Sequence, residues 1–351
     1  MKAILAIDSF KGCLNQAEAN QAAAEGVRSV YPNAEVVQLP VSDGGEGFLD
    51  AFHAAIGGKL VEVAVCDPLM RPITAKYLLH RTTAVIEMAQ ASGLTLLTPD
   101  QRNPLLTTSY GTGQLVMDAV SKGARHVIVG LGGSATSDAG MGMLEAIHQS
   151  AVTIPKDVRF TIATDVTNPL CGVNGAAHVF APQKGATPEA VLALDERARA
   201  FAAHSAQLLG YDRSQMPGAG AAGGLGYAFM QYLDAQCKSG IDLLLETLRF
   251  DQLVNDADII ITGEGSADLQ TLMGKVPTGI LRHAGRVPVC LIAGQVSNRE
   301  DLLKAGFSSV ECIHPQGITP QDAMRKDIAM QHITNKVREI IISRKLRLLG
   351  S

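Results

Sequence analysis

The sequence predicts an α/β protein, an open sheet of parallel strands with helices on its faces. Three features point there. Short apolar runs alternate with stretches of helical pattern, the signature of βαβ units. Several runs are apolar from end to end, as strands covered on both faces are. Most of them end in a glycine-rich or polar loop.

The first run, Ala3-Ile7, reaches Asp8 after five apolar residues and shows no cleavage-site pattern, so it reads as a strand and not a signal peptide. Asn15 to Val30 is rich in Ala and poor in β-branched residues, which predicts a helix. Glu35-Leu39 is the second strand. The region from about 60 to 110 reads differently: Leu60-Val65, Ala75-His80 and Ala84-Met88 are strands joined by short turns, with Asp67-Pro68 and Arg71-Pro72 as turn signals. This suggests a separate unit. His126-Val129, Ile259-Ile261, Val287-Ala293 and Ser309-Ile313 are further strands, and Ala329 to Leu349 an amphipathic helix ending in the basic turn Arg344-Lys345-Leu346-Arg347. The expected organisation is one open-sheet domain from both ends of the chain, residues 1–60 with 251–351, and a second domain inserted as residues 61–250.

A chain of 351 residues holds roughly two domains of about 150, each able to bury a core without disulfide or metal staples. Charged residues are 18% of the chain, below the usual ~25%, and 35 glycines are an excess that needs a use. Thirty basic against 34 acidic residues give a net charge of -4, with no Lys/Arg cluster outside the C-terminal turn. That argues against nucleic acid as a partner. The six cysteines form no CxxC pair or metal spacing, which points to a reducing compartment. No apolar run reaches the ~18 residues of a membrane span, so a soluble, cytoplasmic protein is expected. The nine histidines show no HxxxH or HExxH arrangement, so no zinc is assigned.

Five loops follow apolar runs or open helices, where open α/β sheets place their ligands. They are Asp8-Ser9-Phe10-Lys11-Gly12, Asp43-Gly44-Gly45-Glu46-Gly47, Gly130 to Asp138, Pro217 to Gly226, and Thr262 to Asp268. Glycine lets a phosphate approach the backbone, and a following helix offers unpaired N–H groups and a positive dipole end. The Gly130 loop adds hydroxyls at Ser134, Thr136 and Ser137, but matches neither the dinucleotide fingerprint nor a P-loop. Tight turns and close helix packing would also account for any one such loop; five together point to a nucleotide. Nor does Ser134 lie in the GxSxG context of a nucleophile-elbow hydrolase. Phosphoryl transfer needs Mg²⁺ on one or two carboxylates and another carboxylate to orient or deprotonate the attacking hydroxyl. Asp8, Asp43, Glu46, Asp138, Asp165, Glu264 and Asp268 are the candidates, and about half are expected to be caps or turn formers. Lys11, Lys184 and Lys275 sit beside glycine and suit phosphate or a substrate carboxylate.

The motifs run in order over almost the whole chain: DSFKG at 8–12, PVSDGGEG at 40–47, IEMAQASGL at 86–94, NPLLTTSYGTG at 103–113, GLGGSATSDAGMGM at 130–143, DVTNPLCG at 165–172, FAPQKGA at 180–186, PGAGAAGGLG at 217–226 and ITGEGSADLQTLMGK at 261–275. The set resembles the bacterial type I glycerate kinase family. The resemblance implies ATP- and Mg²⁺-dependent phosphorylation of D-glycerate, in most such enzymes at the 2-hydroxyl, on a flavodoxin-like domain carrying an inserted α/β domain with the site between them. It implies catalytic roles for Asp165 as general base, Lys11 and Asp268, and Mg²⁺ at Asp43 or Asp268. ATP would meet Ser9, Gly132, Gly133, Ser134, Gly220, Gly223, Gly224, Glu264 and Lys275, and glycerate would meet Asp43, Asn168 and Lys184.

Four departures qualify this. Ser266 stands where the family usually has an arginine, and a hydroxyl cannot supply a charged bidentate fork. Ser137-Asp138-Ala139-Gly140 and Ala163-Thr164-Asp165-Val166 are milder changes that keep the acid. Between Met143-Ile147 and Phe160 the chain has only a short link through Pro155, where the family usually carries a longer glycine-containing segment. Two other functions therefore compete: a kinase of a related hydroxy acid, and a non-catalytic nucleotide- or sugar-acid-binding paralogue.

Overall fold

A computed structural model describes residues 1–10, 12–42, 44, 45 and 47–349. The chain forms two compact units, Met1–Asp43 with Ile241–Ser351 and Gly44–Gly240. The division thus falls at 43/44 and 240/241, where the sequence suggested about 60 and 250. The local packing explains the shift: the Phe48–Ile56 helix lies on strands of the second unit, and its Leu49 amide donates to the Glu87 carboxylate at 3.1 Å. At the other junction, Ile241 packs against Gly279 of the first unit.

The first unit is a five-stranded sheet of β1 (Lys2–Ile7), β2 (Glu35–Gln38), β9 (Ile259–Ala267), β10 (Val289–Val296) and β11 (Ser309–Cys312). All pairs are parallel, in the order β2-β1-β9-β10-β11. Counted within this unit alone, that is the 2-1-3-4-5 order of the flavodoxin-like fold. Ala3, Leu5 and Ile7 alternate onto the face packed by the Gln16–Val30 helix and by Ile333, Val337 and Ile341 of the Lys326–Leu349 helix. The first of these helices starts in a reciprocal capping box between Asn15 and Glu18.

The second unit is a six-stranded mixed sheet of β3 (Lys59–Cys66), β4 (Pro72–His80), β5 (Thr83–Glu87), β6 (His126–Gly130), β7 (Arg159–Ala163) and β8 (Gln236–Lys238), in that spatial order. β3, β4 and β5 are an antiparallel meander, while β5 to β8 run parallel. The expected change of character after residue 60 is thus an antiparallel edge on a parallel sheet. β7 and β8 were not anticipated. Neither carries the continuous apolar run that marks the other strands: β7 includes Arg159 and Thr161, and β8 is Gln236-Cys237-Lys238. No helix among the described residues is long and apolar enough to cross a membrane.

Candidate active site

In the first unit the strand order reverses between β1 and β9, and open α/β sheets bind ligands outside the strand ends at that point. The Asp8 amide donates to the Gly263 carbonyl at 2.9 Å, which sets the loop after β1 beside the end of β9. Ser9 follows there, its amide donating to Asp8 Oδ1 at 2.7 Å. Lys11, Asp43 and Glu46 lie outside the described residues.

Asn20 governs both loops that leave β1 and β2. Its buried amide accepts from the Ile7 amide at 3.2 Å and donates to the carbonyls of Ile7, Gln16 and Leu39. Sequence reasoning missed it, since one Asn in an Ala-rich helix carries no pattern.

Four residues at and beyond the end of β9 form one connected set. Glu264, buried, accepts from Thr271 Oγ1 at 2.6 Å and from Lys275 Nζ at 2.8 Å. The same Thr271 hydroxyl accepts from the Asp268 amide at 3.0 Å, while Asp268 Oδ1 accepts from the Gln270 amide at 2.8 Å. Lys275 is the N-cap residue of the Val276–His283 helix. Glu264, Asp268 and Lys275 are therefore together, with Glu264 holding the lysine in place. Ser266 is exposed and sits in register with Gln295.

In the second unit three of the predicted loops meet beyond the ends of β6 and β7. The Gly132 amide donates to the Gly44 carbonyl at 3.0 Å, and a Cβ on Gly132 would stand 2.3 Å from Gly45 Cα, so only glycine fits. Gly223 adopts φ 69 and faces Thr136, whose carbonyl oxygen a Cβ would meet at 2.0 Å. The helical segment Ala221–Leu233 turns left-handed at Ala222, Gly223 and Gly224, which lets the Gly223 carbonyl accept from the Ala139 amide at 2.9 Å and seats Gly224 on Ala139. Gly220 donates to the Asn168 carbonyl at 2.8 Å, and Asn168 Nδ2 to the Asn174 carbonyl at 2.8 Å. Asp165 follows β7 next to Thr164, whose amide donates to the Lys238 carbonyl at 3.0 Å. Burial, with the Asp165 charge behind it, pushes the neighbouring Cys237 thiol up.

Four of the seven carbonyls in the loop from Gly132 to Asp138 accept hydrogen bonds. Leu94 N donates to Gly133 O at 2.8 Å, Thr107 Oγ1 to Ala135 O at 3.0 Å, Lys184 Nζ to Thr136 O at 2.6 Å and Met141 N to Asp138 O at 3.0 Å. Its amides are different. Those of Gly133, Ser134, Ser137 and Asp138 have no intramolecular acceptor among the described residues, and the buried Ser137 hydroxyl has no partner either. Gly133 is exposed, but Ser134, Ser137 and Asp138 are buried, and buried polar groups are almost always satisfied, so these exceptions call for a cause. Successive spare amides around a left-handed glycine, here Gly133 at φ 75, form an anion-binding nest. Asp138 is the hub behind it, accepting at Oδ2 from Ser109 N, Ser109 Oγ and Gly142 N and at Oδ1 from Gly140 N. Of the acids proposed for chemistry, Asp138 is thus the one most fully committed to structure. Lys184, expected at the substrate, is 3% exposed and spends its ammonium on the loop backbone.

Comparison with known proteins identifies the family. The model of the Glycerate kinase family matches residues 3–154 and 148–344. The chain belongs to the glycerate kinase family. It is 40% identical to a glycerate kinase of Bacillus subtilis over 377 aligned positions, covering 99% of this chain and 98% of the relative. It is 39% identical to the glycerate 2-kinase of Escherichia coli over 85% of this chain and 86% of that one. A crystal structure assigned as glycerate kinase 2, from Salmonella typhimurium LT2, matches with a TM-score of 0.84 and 36% identity over 99% of each chain. The two stretches of the family match meet at 148–154, where this member carries the short link through Pro155.

Proposed function

We propose that the protein transfers the γ-phosphoryl group of ATP to the 2-hydroxyl of D-glycerate, giving 2-phosphoglycerate and ADP. The spare amides of Gly133, Ser134, Ser137 and Asp138 carry this reading, because a polyphosphate is the ligand that such a donor set suits. Membership of a kinase family supplies the reaction class.

Gly132 and the Gly220, Gly223 and Gly224 turn hold that loop, and Ser134 lies within it. Lys275, fixed by Glu264, and Lys11 offset phosphate charge, with Ser9 on the loop that leaves β1 beside the end of β9. Mg²⁺ in phosphoryl transfer takes one or two protein carboxylates, completing its shell with phosphate oxygens and water. Asp268 and Asp43 would hold the ion, whose chemistry is to offset charge on the transferring phosphate. Asp165 acts as general base: the 2-hydroxyl oxygen bonds to the γ-phosphorus, the bond to the ADP oxygen breaks, and the hydroxyl proton passes to the Asp165 carboxylate. Asn168 orients the acid. The protein works in the cytoplasm on a small-molecule substrate.

The replacement of the family arginine by Ser266 favours one further reading, a kinase of a related hydroxy acid. Coupled ADP release with ATP, Mg²⁺ and a panel of hydroxy acids separates the two. Turnover with D-glycerate, with 2-phosphoglycerate as product by ³¹P NMR, is expected. Asp165→Asn is expected to lower kcat by about 10²-fold or more, the scale of a lost general base. Turnover confined to another acid would replace the substrate, and none with any acid would remove the kinase assignment.

A further inference from the structure

Lys184 is the most deeply buried cation of the second unit, and the reaction as proposed leaves it without a task. It is the last residue of the Pro182–Lys184 turn, and its side chain runs into the protein interior to end on the Gly132–Asp138 loop. Nζ donates to Thr136 O at 2.6 Å, with Ser134 Oγ at 3.5 Å. Ser134 Oγ in turn accepts from the Thr136 amide and shares a hydrogen bond with Thr136 Oγ1, both at 3.0 Å. The charge facing Lys184 is Asp138, whose own oxygens are taken up by amides and by the Ser109 hydroxyl.

The geometry points to Lys184 as a positioning residue for nucleotide binding, which holds the Thr136 carbonyl inward so that the loop's spare amides are presented to the phosphates of ATP. A peptide plane carries its N–H opposite its C=O, so fixing the Thr136 carbonyl fixes the direction of the Ser137 amide. A charge-assisted bond to a carbonyl is about twice as strong as a neutral one. A cation placed behind the amides also raises the positive potential toward a polyanion. Lys184 thereby acts on the nucleotide without touching it.

This rests on the reading that the Gly132–Asp138 loop takes the phosphates of ATP, and the test keeps the two apart. Lys184→Met removes the donor and the charge while retaining most of the stem. With D-glycerate saturating, KM for MgATP is expected to rise at least tenfold, with KM for glycerate at saturating ATP changed less than twofold. Lys184→Gln retains a shorter amide donor and is expected to recover part of the loss, an outcome that a mere filling role would not produce. An unchanged KM for MgATP in a folded Lys184→Met protein overturns the inference, and so does a rise confined to glycerate. If neither variant folds, Thr107→Val supplies the control from the other side of the loop: it removes the bond to Ala135 O and is expected to raise KM for MgATP selectively. No selective rise there overturns the inference. Wild-type protein that turns over glycerate while both loop variants keep their ATP affinity refutes the positioning role alone; wild-type protein without turnover refutes the kinase reading.

Discussion

The burial of Lys184 has a thermodynamic signature that can be read without substrate. Loss of hydration drives its ammonium from the ordinary 10.5 down to about 8, with the Asp138 charge opposing the shift. At 1.36 kcal/mol per pH unit, that displacement corresponds to ~3 kcal/mol of cost to the folded state while the amine is charged in both states. The sign follows from proton binding. Between about 8 and 10.5 the unfolded chain holds a proton that the folded chain has lost, so stability rises with pH through that window. Below about 8 the full cost is present. Lys184→Met has no titrating group there, so the stability difference, wild type minus variant, is expected to grow by ~3 kcal/mol between pH 7 and pH 10.5. At pH 7 the variant escapes the desolvation cost but leaves the Thr136 carbonyl without its donor, a loss of ~1–3 kcal/mol. The two proteins should then be nearly equal in stability. At high pH only the lost hydrogen bond remains, because a neutral amine still donates, and the variant is the weaker. Urea unfolding of both proteins at pH 7, 8, 9 and 10 measures the difference, and lysines and tyrosines elsewhere cancel. A difference that stays flat across this range refutes the reasoning.

Two further outcomes follow from the same packing. Asn20→Ala strips four hydrogen bonds, three of them at the buried ends of β1 and β2, and is expected to cost about 2–4 kcal/mol in urea unfolding, since each orphaned backbone group carries ~1–3 kcal/mol. A loss below 1 kcal/mol would mean that water replaces the amide. Gly223→Ala places a Cβ 2.0 Å from Thr136 O at a left-handed φ, and thermal unfolding should show a clear drop together with weaker ATP binding. An unchanged midpoint would mean that the turn yields at little cost.

Much of this protein was legible in its sequence for identifiable physical reasons. Apolar runs such as Ala3-Ile7 and His126-Val129 are buried on both faces, and that requirement writes itself into composition wherever a strand lies mid-sheet. Glycine density marked the Gly130 and Pro217 loops because close approach admits no Cβ, as at Gly132 and Gly223. The ordered motifs sufficed to name the family. The search for apolar runs failed at β7, which Arg159 and Thr161 interrupt, at β8, two of whose three residues are Gln236 and Lys238, and at residues 44–60, whose membership of the second unit depends on what the Phe48–Ile56 helix packs against.

The sequence by itself determined the fold class, the family and the loops that carry chemistry, because those rest on residue type and local order. Only the tertiary structure decided what each polar side chain is for. Asp138 and Lys184 look in sequence like a candidate acid for the chemistry and a substrate contact; in the fold one is the hub of four hydrogen bonds and the other the buried anchor of a loop carbonyl. Glu264 is committed to Thr271 and Lys275, and Asn20, silent in the sequence, clamps two strand ends. The reason is that a polar group's role is set by the donors and acceptors that surround it once water is excluded, and those neighbours come from segments distant in the chain.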